Sequence, residues 1–189
     1  MKFPRAAGVL LHPTSLPSKF GIGDFGTEAF DFVDFLVKSK QTYWQVLPLG
    51  QTGYGDSPYQ CFSAFAGNIF MISPEKLVED GFLNEDDLAD VPDFSETKVD
   101  FGGVIDYKMP LLEKAFEKFR KTYDLKLVEA FHLFCDENAF WLEDYALFRA
   151  IKFAQNQVSW QEWDEGLKLR KPEALAEAKI ELDTEAFAQ

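Results

Sequence analysis

The chain is poor in the residues that build metal centres, disulfide frameworks and nucleophilic triads. It has two cysteines, Cys61 and Cys135, and two histidines, His12 and His132, spread over 189 residues. Two distant thiols make neither a disulfide scaffold nor a zinc set, and they fit a reducing cytoplasm. Basic residues are also scarce: 19 Lys+Arg against 32 Asp+Glu leave a net charge of −13. Such a chain repels phosphate backbones and anionic lipid, so neither nucleic acid nor a membrane is expected as a partner. Neutral ligands are untouched by that exclusion. No run of 18 apolar residues occurs, so no membrane span is expected. The start, Met1-Lys2-Phe3-Pro4-Arg5, is too short in apolar length for a signal peptide. What abounds is the aromatic ring, with 20 Phe, 6 Tyr and 4 Trp. Rings in that number furnish a core and leave some to line a binding surface.

The pattern changes near residue 75. Before it, glycine and proline punctuate apolar runs; after it, acidic and helix-forming residues dominate. Residues 7–12 form a continuous apolar run closed by Pro13, which reads as a strand buried on both faces. Thr27 is placed to cap a helix that carries Ala29, Phe32, Val33 and Leu36 at helical spacing and ends near Lys40. Residues 43–47 form a second β-type run, stopped by Pro48 and Gly50. Strand, helix, strand in this order is a βαβ unit with parallel strands. Residues 69–72 offer a third short extended run. Ser73-Pro74 opens a helix that Gly81 ends. Residues 84–106 read as an acidic surface loop. From Met109 the pattern is helical, with a Ser159-Trp160-Gln161-Glu162 capping box and a further helix from Pro172. Two parallel strands alone leave their ladders unpaired, and no further strand is visible after residue 72. The expected architecture is therefore α/β, with the chain as the N-terminal part of a larger protein.

Gly21-Ile22-Gly23-Asp24-Phe25-Gly26 matches G-x-G-x-x-G ahead of a helix. A dinucleotide fingerprint needs its first glycine at the strand end, and an acidic residue closing the next strand. Here a long Ser/Pro loop intervenes and the second strand ends Val46-Leu47-Pro48, so the run reads as a turn feeding the helix. His132, between Phe131 and Leu133, reads as structural. His12, at the carboxyl end of a strand, is equally placed for anchoring a loop or lining a site. Asp86 and Asp87 read as part of a solvated face, and no acid after residue 75 has the setting of a catalytic carboxylate.

Gly53-Tyr54-Gly55-Asp56-Ser57-Pro58-Tyr59-Gln60 follows the carboxyl end of the second strand. Flat rings with Asp, Ser and Gln groups suit a sugar, whose apolar face stacks on a ring while its hydroxyls meet polar groups; a surface turn with two tyrosines is the other reading of the same residues. Five blocks in order between Val9 and Asn68 then resemble the start of glycoside hydrolase family 77, the 4-α-glucanotransferases or amylomaltases. They are V-L-L-H-P-T-S-L-P-S, G-I-G-D, W-Q-V-L-P-L-G, G-Y-G-D-S-P-Y-Q and S-A-F-A-G-N. The later F-W-L-E-D-Y-A block at 140–146 is similar as well. Ile69 departs from the proline that many relatives carry there.

The resemblance implies the first two strands of a (β/α)8 TIM barrel in residues 1–75. Residues 76–189 would be a mainly helical insertion, with the barrel continuing after it. It implies transfer of α-1,4-glucan segments between maltodextrins by a retaining double displacement, with no cofactor and no metal. The catalytic carboxylates of the family lie on later strands, so none is assigned here. Carried over are substrate contacts: Ser57 and Tyr59 at the glucan subsites beside the cleavage point, Tyr54 at a more distant glucan contact, and Asp56 as a shaper of the loop. A non-catalytic carbohydrate-binding module is the alternative.

Overall fold

A computed structural model describes residues 5–53 and 55–188, which fall into two units divided between Lys121 and Thr122. In the first, β1 (Gly8–Leu10) pairs in parallel with β2 (Tyr43–Gln45), with Val9 opposite Trp44. Backbone pairing runs a little beyond both strands, from Thr42 N–H to the Ala7 carbonyl and from Leu11 N–H to that of Gln45. The connecting helix α1 (Thr27–Lys38) lays Phe32 edge-on against Trp44, with centroids 4.9 Å apart. The Trp44 indole N–H donates to the Leu11 carbonyl at 2.7 Å. The βαβ expectation thus holds, with shorter strands.

Burial on both faces does not hold. Leu10 is 56% and Tyr43 58% exposed, and Phe30, Val33, Phe35 and Val37 of α1 also face outward. Only Ala29 and Leu36 of that helix are buried. One helix and two strands cover each other on a single side, so their remaining apolar surface stays bare. The cap also differs: Gly26, not Thr27, is the N-cap of α1, and its N–H is taken by Asp24 Oδ1 at 2.9 Å.

Residues 69–72 are not extended. Asn68 Oδ1 accepts from the Phe70 N–H at 3.0 Å and closes a 3-10 turn over Ile69–Met71. Helix α2 (Pro74–Glu79) follows as expected, with Pro74 in its first turn and Gly81 at φ +79° beyond its end. The expected loop at 84–106 is shorter. It holds a 3-10 turn, Glu85–Leu88, and gives way at Phe101 to α3 (Phe101–Phe119), whose cap Asp100 accepts from Gly103 N–H. Val104, Lys108, Leu111 and Ala115 form the buried stripe of α3. Leu111 and Ala115 pack with Phe20, Leu83 and Leu88, and Val104 packs with Ile22 and Phe70.

Gly23 lies where this packing is tightest. A methyl group there would overlap the Pro13 carbonyl and lie 2.8 Å from backbone atoms of Leu16. Backbone does not yield as a side-chain tip does. Gly23→Ala is expected to cost about 3 kcal/mol, the upper range for overpacking. Thermal melting of the purified protein checks this, and an unchanged midpoint contradicts the close approach.

The second unit is helical: α4 (Leu125–Asn138), α5 (Leu142–Ala154), α6 (Glu165–Lys168), α7 (Pro172–Glu181) and α8 (Asp183–Phe187). Its core gathers Leu147, Ile151, Trp163 and Ala178. Ser159 does cap, but what it caps is a 3-10 turn, Trp160–Glu162. After α5 the chain turns through Asn156 and Gln157, both at positive φ. Lys152 Nζ holds that turn by donating to the carbonyls of Gln157 and Val158.

Candidate substrate-binding site

The segment after β2 folds back on itself. Thr52 and Cys61 form an antiparallel bridge, Gly53 N–H donates to the Gln60 carbonyl, and Phe62 N–H donates to that of Gln51. Two successive residues, Gly55 at φ +88° and Asp56 at φ +54°, reverse the chain. Glycine takes that conformation without strain, and Asp is among the few side chains that tolerate it. Gln60 N–H then donates to the Ser57 carbonyl at 2.9 Å, and Ser57 Oγ accepts from Tyr59 N–H at 3.4 Å. The outcome is a short hairpin whose tip carries Asp56, Ser57 and Tyr59. Asp56 is exposed, Ser57 is half-buried, and the Tyr59 ring is 73% exposed. Tyr54 lies outside the described residues.

Both ends of the hairpin are anchored in the first unit. Gly50 is buried against its exit leg, where a Cβ would lie 2.8 Å from the Ser63 carbonyl oxygen and 2.9 Å from Cys61 Cβ. Asn68 N–H donates to the Leu49 carbonyl at 2.8 Å. On the β1 side, His12 Nε2 lies 3.2 Å from the Pro48 carbonyl, while Nδ1 lies 2.7 Å from Thr14 Oγ1 and accepts from Thr14 N–H. The tautomer protonated on Nε2 satisfies all three contacts. His12 therefore ties the loops after β1 and β2 together, which is the loop-anchoring alternative of the two that its position allowed. His132 is exposed on α4.

A buried ion pair went unread in the sequence. Lys108 Nζ lies 3.2 Å from Asp24 Oδ2 and donates to the Phe70 carbonyl at 2.7 Å, with both side chains almost fully enclosed. Burial pushes the Lys108 ammonium below, and the Asp24 carboxyl above, their ordinary ranges, against the attraction between the two. The same contacts explain the glycine motif. Gly23 N–H donates to the Thr14 carbonyl, Gly21 lies under the Phe94 ring, and the Asp24 carboxylate occupies the N–H at the start of α1. A phosphate would meet a carboxylate where a dinucleotide fold offers empty N–H groups.

An open cleft of about 1100 Å³ lies elsewhere in this unit, between residues 14–23 and 91–99, and none of Asp56, Ser57 and Tyr59 lines it. Among the described residues, no group of three His, Cys, Asp or Glu side chains is arranged to hold a metal ion, and no helix is long and apolar enough to cross a membrane.

A parallel βαβ start, with a ring-bearing hairpin after its second strand, places this unit in the α/β class, in which the loops beyond the carboxyl ends of the strands are the usual place for ligands. Residues 11–189 match the family described as 4-alpha-glucanotransferase, and the chain belongs to that family. It is 50% identical over 171 residues to the 4-alpha-glucanotransferase of Synechocystis, with 90% of this chain and 34% of that protein covered. It is 48% identical to the enzyme of Thermus thermophilus, with 100% of this chain and 38% of that protein covered. The amylomaltase of Streptococcus agalactiae, solved in complex with acarbose, superposes with a TM-score of 0.91 at 41% identity, covering 98% of this chain and 37% of that one. The chain thus spans about a third of the length of these relatives.

Proposed function

We propose that the chain is the N-terminal portion of a 4-α-glucanotransferase that moves α-1,4-glucan segments between maltodextrins in the cytoplasm. Residues 1–75 would be the first βαβ part of a (β/α)8 barrel, and residues 76–189 a mainly helical insertion before the barrel resumes. In a retaining double displacement, one carboxylate attacks the anomeric carbon to give a covalent glycosyl-enzyme. A second carboxyl group protonates the leaving oxygen, then deprotonates the incoming 4-hydroxyl. Both carboxylates belong to the part of the protein after residue 189, and no cofactor takes part.

This chain supplies substrate contact. Ser57 and Tyr59 line the glucan subsites beside the cleavage point, Tyr54 makes a more distant glucan contact, and Asp56 holds the turn. The observation that carries this reading is the exposed Tyr59 ring on an anchored hairpin after β2. An exposed ring on an anchored turn offers a flat apolar surface, and the apolar face of a pyranose stacks on such a surface. The bare apolar faces of β1, β2 and α1 support a barrel that continues over them. A stand-alone binding module is the weaker reading, because the family match runs through the helical part as well.

The test is maltotriose disproportionation, followed by chromatography of the products. The complete protein should release glucose together with longer maltodextrins, and the 189-residue chain should release none. Glucose from the chain alone would overturn the location of the carboxylates, and no glucose from the complete protein would overturn the activity.

A further inference from the structure

Lys108 occupies a position in the α3 stripe that an aliphatic residue would fill at lower cost, since a buried ion pair seldom stabilises more than packed hydrocarbon does. What lysine adds there is a donor aimed at one particular carbonyl. Its Nζ donates to the Phe70 carbonyl at 2.7 Å, and Asp24 holds it from the other side. Phe70 in turn donates its N–H to the Asn68 side chain, and Asn68 donates its own N–H to the Leu49 carbonyl. Leu49 and Gly50 lead into the ring-bearing hairpin, and residues 63–68 lead out of it. The exit leg is itself tightened by Ser63 Oγ, which accepts from the N–H groups of Phe65 and Ala66. Entry and exit therefore meet at Asn68, one hydrogen bond away from the turn that Lys108 grips. Asp24 extends the same support to the start of α1 through Gly26, and Phe25 N–H donates to the Met71 carbonyl at the far end of the turn.

Resting on the glucan-binding reading given above, we infer that Lys108 is a positioning residue for the substrate hairpin. Its ammonium fixes the Asn68–Phe70 turn, and through that turn the two legs on which Tyr59 and Ser57 are carried. The side chain never touches the sugar; it sets where the ring and the hydroxyl stand when the sugar arrives. Loosening it misplaces a binding surface while the reacting groups, supplied from elsewhere, stay as they were. The signature is therefore in KM rather than kcat.

The informative variant in the complete protein is Asp24→Asn combined with Lys108→Met, which removes both charges at nearly constant shape and deletes the donor to Phe70. With maltotriose it should raise KM about tenfold and change kcat less than about twofold, and the melting temperature should stay within a few degrees of the parent. Adding Tyr59→Ala on top should cost much less than Tyr59→Ala costs in the parent, because the ring is already out of register. A folded double variant with parental KM, or full additivity with Tyr59→Ala, would overturn the inference. Should the double variant fail to melt cooperatively, Asn68→Ala breaks the same relay without touching a charge. It should raise KM about threefold, and an unchanged KM would overturn the inference equally. A parent protein without disproportionation activity, or one indifferent to Tyr59→Ala, would instead remove the reading on which the inference rests.

Discussion

Replacing Tyr59 by alanine in the complete protein is expected to lower kcat/KM for maltotriose about 100-fold, as the loss of an anchoring ring at a binding surface typically costs 2 kcal/mol or more. Its geometry separates binding from folding. The Tyr59 ring is 73% exposed, so its removal opens no cavity. The turn around it is closed by backbone groups and by Ser57 Oγ, none of which belongs to the Tyr59 side chain. The melting temperature should therefore remain within about a degree of the parent, as for a surface substitution. Tyr59→Phe keeps the stacking face and loses only the phenol oxygen, so it should retain most of the activity. Equal damage from Phe and Ala would place the value of this residue in its hydroxyl rather than its ring. Near-parental kinetics for Tyr59→Ala would remove it from the binding surface.

The turn at 53–60 was legible because its chemistry is local; that its two legs pair as a hairpin was not. Gly, Asp, Ser and Pro mark a reversal wherever they cluster. The βαβ unit was legible for the same kind of reason: apolar runs, a helical period and proline stops all act within a few residues. The misreadings came where distant packing decided. Residues 69–72 are apolar and short, a length at which periodicity does not separate a strand from a turn. The Asn68 side chain settles it by bonding Phe70 N–H. The first two turns of α3 were hidden by Gly102 and Gly103, each a poor helix former, and by Lys108 in its apolar stripe. Packing of Val104, Leu111 and Ala115 overrides that local preference. Lys108 itself was not legible, because its partner Asp24 is 84 residues away and nothing in either neighbourhood announces the other. For His12, position allowed two roles, and only the contacts with Thr14 and Pro48 separate them.

The same ion pair gives the second large effect, on stability. Lys108→Met alone leaves the Asp24 carboxylate buried without its cation, and Asp24→Asn alone leaves the Lys108 ammonium without its anion. Each should destabilise the complete protein by about 3–5 kcal/mol at neutral pH, the usual cost of breaking a buried pair. The combined variant should lose only about 1 kcal/mol, for the Phe70 carbonyl left without its donor. The sign of the pH dependence follows from burial. Asp24 already sits above the usual carboxyl value of 3.8 with Lys108 beside it, because desolvation outweighs the attraction. Without Lys108 that attraction is gone and the carboxyl rises further. A carboxyl whose folded value is raised favours folding while it holds its proton, and that contribution is lost as pH climbs through the folded value. Lys108→Met should therefore be markedly more stable at pH 5 than at pH 8, whereas the combined variant, with no carboxyl at position 24, should lack that difference. Urea unfolding of the parent, both single variants and the combined variant at the two pH values measures this. Single substitutions that each cost under 0.5 kcal/mol, the range of ordinary surface changes, would show that the pair does not need its partner. A combined variant as damaged as the sum of the two singles would show that the charges act independently of each other.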